Sequence, residues 1–465
     1  MSGSYQKLSE AAGAVNGDLY GENQIFIGVS TDTRTVTSGQ LFIALKGPYY
    51  DAHDFVQDAI NKGAAGVLVQ QKLEIETPQI VVPDTQVALG QLAAAWRQQF
   101  SIPVIAITGS NGKTTVKEMI ASILKQQGAV LSTRGNLNNE IGVPLTLLQL
   151  IASHDSAVIE EGASHPGDIA YLTQLVQPTV AVVTNAAGAH LEGFGSMDTV
   201  ARTKGELFEF LPEDGVEIIN ADDEYASLWK SLADKRNVIT FGLSTGADVQ
   251  GILPEVTNST SRDIDKLNGF QLKIKTPEGE FSVFVPLMGR HNAMNALAAV
   301  AAVLAAGVKL DVIKKGLETV KPVSGRLEWK AGANNAGIID DTYNANPASL
   351  NVALDVLSAY PGDRYLALGD MAELGEKSED FHEQAGRQAR DSGVSHLYAI
   401  GEYSRFAVEA FGKQAWHFSA REQMVDRLRE DMNKNVTLLV KGSRSSHMDQ
   451  VVDALSMPRV MGGAS

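Results

Sequence analysis

The sequence predicts an α/β protein of three domains, with a doubly wound, mostly parallel sheet in the central domain. Three observations lead to this prediction. The chain has 465 residues, which is more than one hydrophobic core usually serves. Strand-like and helical stretches alternate along most of the chain, as they do in folds with parallel sheets. A strand, a glycine-containing turn and a helix follow one another in PVIAITGSNGKTTVKEMI (103–120), which is typical of a nucleotide-binding sheet.

The composition is that of a globular protein, with 44% hydrophobic and 20% charged residues. There are no cysteines, which excludes disulfides, cysteine-bound zinc and thiol catalysis. The net charge of −16 argues against a nucleic-acid partner. The N-terminus lacks the basic-then-apolar pattern of a signal peptide, and the apolar run 296–308 is too short to span about 30 Å of bilayer. We therefore expect a cytoplasmic protein, without membrane insertion, that acts as a monomer.

Residues 1–84 are predicted to form a small N-terminal α/β domain. Its predicted strands are QIFIGV (24–29), GQLFIAL (39–45), AAGVLVQ (64–70) and QIVVPD (79–84). FVQDAINKG (55–63) is predicted as a helix, and ALGQLAAAWRQQF (88–100) as a helix that connects this domain to the next.

Residues 85–312 are predicted to form the central domain. Its predicted parallel strands are PVIAIT (103–108), SAVIE (156–160), TVAVVTN (179–185), GVEIIN (215–220) and NVITFG (237–242). A helical stripe of apolar residues from Val116 to Leu124 follows the first strand and stops at Gly128. FQLKIKTPEGEFSVFVPL (270–287) alternates with period two around a turn, which indicates an antiparallel hairpin, and HNAMNALAAVAAVLAAG (291–307) is a helix.

Residues 313–465 are predicted to form a C-terminal Rossmann-like domain. Its predicted strands are AGIID (336–340), RYLALG (364–369), HLYAIG (396–401) and VTLLVKG (436–442). Predicted helices include PASLNVALDVLSAY (347–360) and SSHMDQVVDALS (445–456), and the final residues 457–465 are expected to lack regular structure.

The turn after the strand 103–108 resembles a phosphate-binding loop without its first glycine, because Ile107 stands where G-x-x-x-x-G-K-[ST] requires glycine. We expect the amides from Ser110 to Thr114 to face phosphate oxygens at the helix N-terminus. Lys113 would reach the β- and γ-phosphates, and the Thr114 hydroxyl would bind Mg²⁺. The alternative is a helix-capping turn with a chance Gly-Lys-Thr, but a local anion site suits an otherwise acidic protein.

Two further side chains are expected beside Thr114 at the carboxyl edge of the sheet. Glu160 closes the strand 156–160, and His190 follows the strand 179–185. His190 could equally be a hydrogen-bonded loop histidine. Lys204 could be a solvated helix lysine, although a buried neutral amine near metal ions can react with CO₂.

The segment TGSNGKTT (108–115) resembles the ATP-binding loop of the Mur ligase family, in which T-G-[ST]-N-G-K-[ST] replaces the standard pattern. Further resemblances occur in the family's order and cover nearly the whole chain. They are STDTRTVTSGQLFIALKG (30–47), NLNNEIGVPLTLL (136–148), AHLEGFGS (189–196), RTKGELF (202–208), GRHNAMNALAA (289–299), DDTYNANPAS (340–349), LGDMAELG (368–375) and VKGSRS (440–445).

The resemblance implies an ATP-dependent ligase of cytoplasmic peptidoglycan precursor synthesis. The segments are most similar to those of the member that joins D-alanyl-D-alanine to the terminal carboxylate of UDP-N-acetylmuramoyl-tripeptide. That reaction passes through an acyl phosphate and releases ADP and phosphate. Alternatives are another amino-acid ligase of the same fold, including a folylpolyglutamate synthase, or a P-loop nucleotide switch that forms no amide product.

The resemblance also implies roles for individual residues. The catalytic residues would be Lys113, Glu160, His190, Lys204 and Arg326. Two Mg²⁺ ions would be bound by Thr114, Glu160, His190 and Lys204, the last as a carbamate (N6-carboxylysine). Glu161 departs from the family, which usually has an apolar residue there, so either glutamate could be the main ligand.

Residues implied to bind ATP are Gly109, Ser110, Asn111, Gly112, Lys113, Thr114, Thr115, His291, Asn292, Asn295, Arg326, Asp341, Tyr343, Asn344 and Asn346. Asn292 could instead cap its helix, and 340–347 could be a simple strand-to-helix loop. Residues implied to bind the other substrates are Thr31, Asp32, Arg34, Asn136, Asn138, Asn139, Lys441, Ser443 and Arg444.

Overall fold

Three α/β units, each built around its own sheet, make up the computed structural model, which describes residues 6–187, 194–233, 236–254 and 269–457. The predicted fold class is confirmed. Across these described ranges, no helix is both long enough and apolar enough to cross a membrane.

The first unit has a five-stranded sheet in the order β2-β7-β6-β5-β4, and a separate pair β1-β3. Only β2 runs antiparallel to its neighbour in the larger sheet. The strands are β1 Gln6–Lys7, β2 Asp18–Tyr20, β3 Ile25–Phe26, β4 Val29–Ser30, β5 Leu41–Ile43, β6 Gly66–Val69 and β7 Gln79–Val81. The helices are α1 Leu8–Ala14, α2 Val56–Asn61 and α3 Thr85–Arg97. The single strand predicted at 24–29 is wrong, because Gly28 has φ +97° and separates β3 from β4.

Helix α3 connects the first unit to the second, as predicted. It begins after Asp84, whose carboxylate accepts hydrogen bonds from the amides of residues 86 and 87. Leu89 and Leu92 belong to the hydrophobic core of the first unit, whereas Trp96 belongs to that of the second. The helix is therefore packed into the cores of both units and is not an exposed linker.

The central unit has a nine-stranded sheet in the order β16-β15-β14-β13-β12-β11-β8-β10-β9. Strands β8 to β14 are parallel, and β15 and β16 form the predicted antiparallel hairpin. The strands are β8 Val104–Thr108, β9 Val130–Ser132, β10 Ser156–Glu160, β11 Val180–Val183, β12 Val216–Asn220, β13 Asn237–Gly242, β14 Val249–Ile252, β15 Phe270–Thr276 and β16 Gly279–Val285. The helices are α4 Lys113–Leu124, α5 Gly142–Leu147, α6 Asp168–Val176, α7 Met197–Gly205, α8 Ala226–Leu232, α9 His291–Ala305 and α10 Leu310–Glu318.

Helix α10 packs on the central unit. Its Ile313 and Leu317 are buried in the same core as the phosphate-loop helix α4. A Cβ atom on Gly316 would lie 2.4 Å from the Cα of Ile123, so the two helices approach closely because this residue is glycine. The predicted division after residue 312 falls inside this helix.

The third unit has a six-stranded sheet in the order β17-β18-β22-β19-β20-β21, in which only β17 is antiparallel. The strands are β17 Glu328–Ala331, β18 Gly337–Asp341, β19 Asp363–Gly369, β20 His396–Ile400, β21 Ala415–Phe418 and β22 Val436–Lys441. The helices are α11 Pro347–Ser358, α12 Ser378–Asp391, α13 Ser404–Phe411, α14 Arg421–Asp431 and α15 Asp449–Leu455. The residues 458–465 of the predicted irregular end lie outside the described ranges.

Candidate nucleotide-binding and ligation site

A cleft of about 1480 Å³ lies between the central and third units, at the carboxyl ends of their parallel strands. This is where open α/β sheets usually bind ligands. The predicted site residues that line it are Ser110, Asn111, Gly112, Lys113, Thr115, Asn136, Asn138, Asn139, Glu160, His291, Asn292, Asn295, Arg326, Asp341, Tyr343, Asn344, Asn346, Lys441, Ser443 and Arg444. Gly109, Thr114, Lys204, Thr31, Asp32 and Arg34 are described but are not part of that lining. His190 lies outside the described residues.

The phosphate loop joins β8 to α4 through two glycines with left-handed backbones. Gly109 has φ +145° and Gly112 has φ +84°, and helix α4 begins at Lys113. A Cβ on Gly112 would lie 2.4 Å from Oδ1 of Asn295, so the loop and helix α9 are in contact. A side chain is excluded at this position by both strain and space.

Two of the loop amides are already bonded within the protein, contrary to prediction. The Ser110 N–H donates to the carbonyl oxygen of Asn185 at 3.0 Å. The Asn111 N–H donates to the side-chain Oδ1 of Asn185 at 3.1 Å. The amides from residue 112 onward belong to the first turn of α4, where N–H groups have no partner within a helix. Phosphate contact therefore stays a prediction for this later part of the loop only.

Lys113 points back onto its own loop. Its Nζ donates to the carbonyl oxygen of Gly109 at 2.6 Å. Burial lowers the pKa of Lys113, while the nearby Glu160 carboxylate raises it and the Arg326 guanidinium lowers it again. The charges of a carboxylate and of a second cation therefore both act on the Lys113 ammonium group.

Glu160 and Glu161 are consecutive at the end of β10 but point to opposite faces of the sheet. Oε1 of Glu160 accepts from Nδ2 of Asn138 at 2.9 Å, and its buried Oε2 has no hydrogen-bond partner. Oε2 of Glu161 accepts from the Thr173 hydroxyl of α6 at 2.8 Å, and neither of these residues lines the cleft. Burial raises the pKa of Glu161 to about 8. Of the two glutamates, only Glu160 lines the cleft.

The three asparagines predicted to contact substrate are partly used inside the protein. Asn138 orients Glu160, and Oδ1 of Asn139 accepts from the amide of Gly142, the first residue of α5, at 2.9 Å. The carbonyl of Asn136 accepts from the Asn138 amide at 2.8 Å. All three line the cleft, but the side chains of Asn138 and Asn139 also hold the site's own geometry.

Lys204 lies near the end of α7 and is 3% exposed. Its Nζ lies 5.5 Å from the centre of the Phe194 ring, an apolar surrounding for an amine. Burial, and after it the charge of Lys113, lowers the pKa of Lys204 to about 7, although Asp168 and Glu206 act in the opposite direction. The interpretation of Lys204 as a solvated helix lysine is wrong, because the side chain is buried.

The start of α9 closes the loop side of the cleft. Nδ2 of Asn292 donates to the Met288 carbonyl at 2.7 Å, and its Oδ1 accepts from Nδ2 of Asn295 at 2.7 Å. Burial lowers the pKa of His291 to about 4, so its imidazole is neutral. Asn292 is not the N-cap, since that position is Arg290 and the helix begins at His291.

The third unit reaches the phosphate loop through two side chains. The Arg326 guanidinium donates to the Thr114 hydroxyl at 3.1 Å and lies 4.1 Å from the centre of the Tyr343 ring. Nδ2 of Asn346 donates to Oδ1 of Asn111 at 3.2 Å, while its Oδ1 caps helix α11. Arg326 and Asn346 are therefore brought to the loop, and their contacts with ATP stay a prediction.

Other predicted residues of the third unit support the cleft wall. Buried Lys441 is paired with Asp341 and also donates to the Asn344 carbonyl at 3.0 Å. Arg444 is paired with Asp449 near the surface at 3.3 Å. The Lys441–Asp341 ion pair, together with the hydrogen bond to Asn344, fixes the loop after β18.

The first unit's predicted substrate residues lie apart from this cleft. Arg34 and Asp32 form an exposed bidentate pair, with 2.7 Å between Nη2 of Arg34 and Oδ2 of Asp32. The hydrogen bonds from Arg34 lower the pKa of Asp32. A role for these residues and Thr31 in binding a distant part of a long substrate remains a prediction.

Three family models match the chain, described as "Mur ligase family, catalytic domain" over residues 26–97, "Mur ligase middle domain" over 107–303 and "Mur ligase, glutamate ligase domain" over 325–444. The UDP-N-acetylmuramoyl-tripeptide--D-alanyl-D-alanine ligase of Escherichia coli is 45% identical over 96% of this chain and 98% of its own length. The chain belongs to the Mur ligase family.

Solved Mur ligase structures agree with this assignment. A crystal structure of MurF from Acinetobacter baumannii is 35% identical with a TM-score of 0.89, covering 97% of this chain and 99% of its own. MurF ligase from Thermotoga maritima, crystallised in complex with ADP, is 28% identical with a TM-score of 0.80, covering 92% and 96%.

Sequence reasoning missed residues that shape this Mur ligase site. Thr184 and Asn185 follow β11, and both bond the phosphate loop through the carbonyl oxygen of Asn111, at 2.7 and 3.1 Å. The available signal was their position, since they end the stretch TVAVVTN beside the strand that carries the loop.

Proposed function

We propose that this Mur ligase joins D-alanyl-D-alanine to UDP-N-acetylmuramoyl-tripeptide with hydrolysis of ATP to ADP and phosphate. The observation that carries the proposal is 45% identity to an E. coli enzyme of that name over nearly its whole length. The cleft supports it, because a phosphate loop on one wall faces Arg326 on the other.

The chemistry requires activation of a carboxylate, which is otherwise a poor electrophile. The terminal carboxylate of the tripeptide attacks the γ-phosphate of ATP, which forms an acyl phosphate and releases ADP. The amine of D-alanyl-D-alanine then attacks the acyl carbon, and inorganic phosphate leaves from the tetrahedral intermediate. No protein side chain forms a covalent bond in this sequence.

The protein's part is to hold ATP and to neutralise charge. Lys113 and Arg326 are placed to stabilise the negative charge of the transferring phosphoryl group. The ADP complex of the T. maritima enzyme supports nucleotide binding in this fold. Enclosure between two units limits the access of water to the acyl phosphate.

We propose that Mg²⁺ is held by Glu160 and Thr114, with a second ion near His190 and Lys204. The unpaired buried Oε2 of Glu160 fits this role, since a carboxylate oxygen is a preferred ligand of Mg²⁺. Within the described ranges, no group of three or more histidine, aspartate or glutamate side chains is arranged to hold a metal. Phosphate oxygens and water would complete the coordination, and the metal would supply charge stabilisation at the phosphates.

We propose further that Lys204 is carbamylated. The neutral amine adds to CO₂ and releases one proton, which leaves an anionic carbamate. Burial and a pKa of about 7 supply the neutral amine at physiological pH. The carbamate would add a carboxylate-like ligand for the metal, and no group of three or more histidine, aspartate or glutamate side chains in the described ranges supplies one already.

The three units suggest a division of labour. Residues 1–84 would bind the uridine diphosphate part through Thr31, Asp32 and Arg34, and the central unit would bind ATP. We place the junction to the ligase unit within 321–326, after α10, because that helix is packed in the central core. The third unit, to residue 465, would bring D-alanyl-D-alanine to the cleft.

The decisive test is mass spectrometry of products formed from UDP-N-acetylmuramoyl-tripeptide, D-alanyl-D-alanine and Mg-ATP. The expected product is the UDP-linked pentapeptide in equal amount to phosphate, and omission of any substrate abolishes it. A substrate panel with single amino acids or glutamate tests other ligases of the fold. ATP turnover without an amide product would reject ligation in favour of a nucleotide switch.

A further inference from the structure

The segment 370–375, which follows β19, forms part of the third unit's wall of the cleft. Ala372, Glu373 and Leu374 line the cleft. Glu373 has φ +63°, a left-handed conformation that a non-glycine residue rarely adopts. Local backbone preference therefore works against this shape, and surrounding contacts must hold it.

Two side chains hold the segment by its backbone amides. The Met371 N–H donates to Nε2 of His382 at 3.0 Å. The Ala372 N–H donates to Oγ of Ser443 at 2.7 Å, and the Ser443 N–H donates to the Asp370 carbonyl at 3.0 Å. His382 of α12 and Ser443, which follows β22, thus each accept a hydrogen bond from one of the two residues just before Glu373.

The contacts of His382 fix its protonation state. Because Nε2 accepts a backbone N–H, the ring proton must be on Nδ1, which faces the Ser378 carbonyl at 2.6 Å. The ring is fully buried and stacks on Tyr403, with 5.8 Å between ring centres. The nearest carboxylate is Asp370, whose Oδ1 lies 3.9 Å from Nε2 and which also accepts from the amides of residues 402–404.

The location of the segment indicates which substrate it serves. The loop after β18 carries Asn346, which bonds the phosphate loop. Strand β19 lies two strands away from β18, with β22 between them, so the segment is displaced by about 10 Å from the nucleotide side. That part of the cleft wall suits the incoming amine better than ATP.

We propose that His382 is a positioning residue for the amine substrate, acting through the Met371 amide to keep residues 372–374 in the shape that binds D-alanyl-D-alanine. His382 is absent from the cleft lining, so it acts through the segment. The inference rests on the proposed function. The competing explanation is a histidine that merely satisfies a buried amide and stabilises the third unit.

The test compares His382→Leu with His382→Gln in the full chain. Glutamine offers Oε1 as an acceptor near the position of Nε2, whereas leucine leaves the Met371 N–H buried without a partner. His382→Leu should raise KM for D-alanyl-D-alanine roughly tenfold, the loss expected for one buried unsatisfied donor. KM for ATP and for the UDP-tripeptide should change less than about twofold, and His382→Gln should restore most of the amine affinity.

Ser443→Ala is a second variant, which removes the acceptor of the Ala372 N–H and should show the same selective rise in KM for the amine. Leu428→Ala is the matched control, since it removes a buried side chain from the other core of the third unit. If His382→Leu and Leu428→Ala lower activity in the same way, or if glutamine rescues nothing, the positioning role is overturned. If the unaltered protein makes no pentapeptide, the proposed function fails instead.

A readout independent of turnover is nitrogen NMR of the protein labelled at histidine. The resonances lost in His382→Gln should belong to a neutral ring protonated at Nδ1. A charged ring, or the Nε2–H tautomer, would contradict the hydrogen bond from Met371 on which the inference stands.

Discussion

The guanidinium of Arg326 donates a hydrogen bond of 3.1 Å to the hydroxyl of Thr114, which lies in the first turn of the phosphate-loop helix. An arginine of the third unit therefore contacts the central unit at the point where the γ-phosphate is expected. The same guanidinium stacks on Tyr343, so its orientation is fixed from both sides.

Arg326→Lys should lower kcat by roughly 100-fold, because lysine keeps the charge but loses the planar fork and the stacking on Tyr343. Steady-state rates of phosphate release in the presence of all substrates provide the measurement. Arg387→Lys, at an exposed arginine of the same unit, is the control and should leave the rate unchanged. A fully active Arg326→Lys enzyme would remove this residue from the phosphoryl-transfer step.

Glu160→Gln and Glu161→Gln form a matched pair in neighbouring positions. Glu160→Gln should reduce the rate by at least about 100-fold, because an amide cannot replace an anionic metal ligand. Glu161→Gln should retain activity within about threefold, since that side chain is bonded to Thr173 and does not line the cleft. The measurement is the rate of each variant at saturating Mg-ATP. A larger loss in Glu161→Gln than in Glu160→Gln would assign the metal to Glu161.

Glu161 should make stability depend on pH. Its pKa is raised by burial from 4.5 to about 8, so the folded protein holds a proton that the unfolded chain releases above 4.5. The free energy of unfolding therefore falls as the pH rises from about 4.5 to about 8. Above that range the loss of stability caused by the buried, ionised Glu161 no longer changes with pH. Glu161→Gln should raise Tm more at pH 9 than at pH 5. Glu76→Gln, at an exposed position, should show no such trend. An equal gain at both pH values would contradict the raised pKa.

Lys204 should take up labelled CO₂. With a pKa of about 7, roughly nine-tenths of the amine is neutral at pH 8, and incubation with ¹³C-bicarbonate should give a carbamate resonance in carbon NMR. Lys204→Arg should lack this resonance, because the guanidinium stays protonated. Short-chain carboxylates should partly restore the activity of Lys204→Ala. The same resonance in Lys204→Arg would mean that another amine carries the label.

Much of the fold follows from hydrophobic periodicity. The buried strands β8, β10, β11 and β12 were predicted because continuous apolar runs are typical of central parallel strands. The strands missed were short or lay near sheet edges, such as β9, β17 and β21, where partial burial weakens the pattern. The boundary between the second and third domains is hard to predict from sequence, because α10 is amphipathic and only its tertiary packing shows which core it joins.

The site was predictable where chemistry and position on a strand coincide. Glu160 ends a buried strand beside the phosphate loop, which is a pattern visible in the sequence. The orientation of Glu160 by Asn138 could not be predicted, because the sequence does not show whether an asparagine in a loop faces substrate or protein. The burial of Lys204 was equally hidden, since its exposure depends on how α7 packs in three dimensions.

The opposite orientation of two adjacent glutamates has a consequence for how this strand can evolve. Insertion or loss of one residue between Ser156 and the end of β10 would turn the carboxylate that now lines the cleft toward α6 and bring its buried neighbour into the cleft. Replacement of Glu161 by an apolar residue leaves the alternation intact. This stretch should therefore accept changes of side chain on its hidden face far more readily than any change of length.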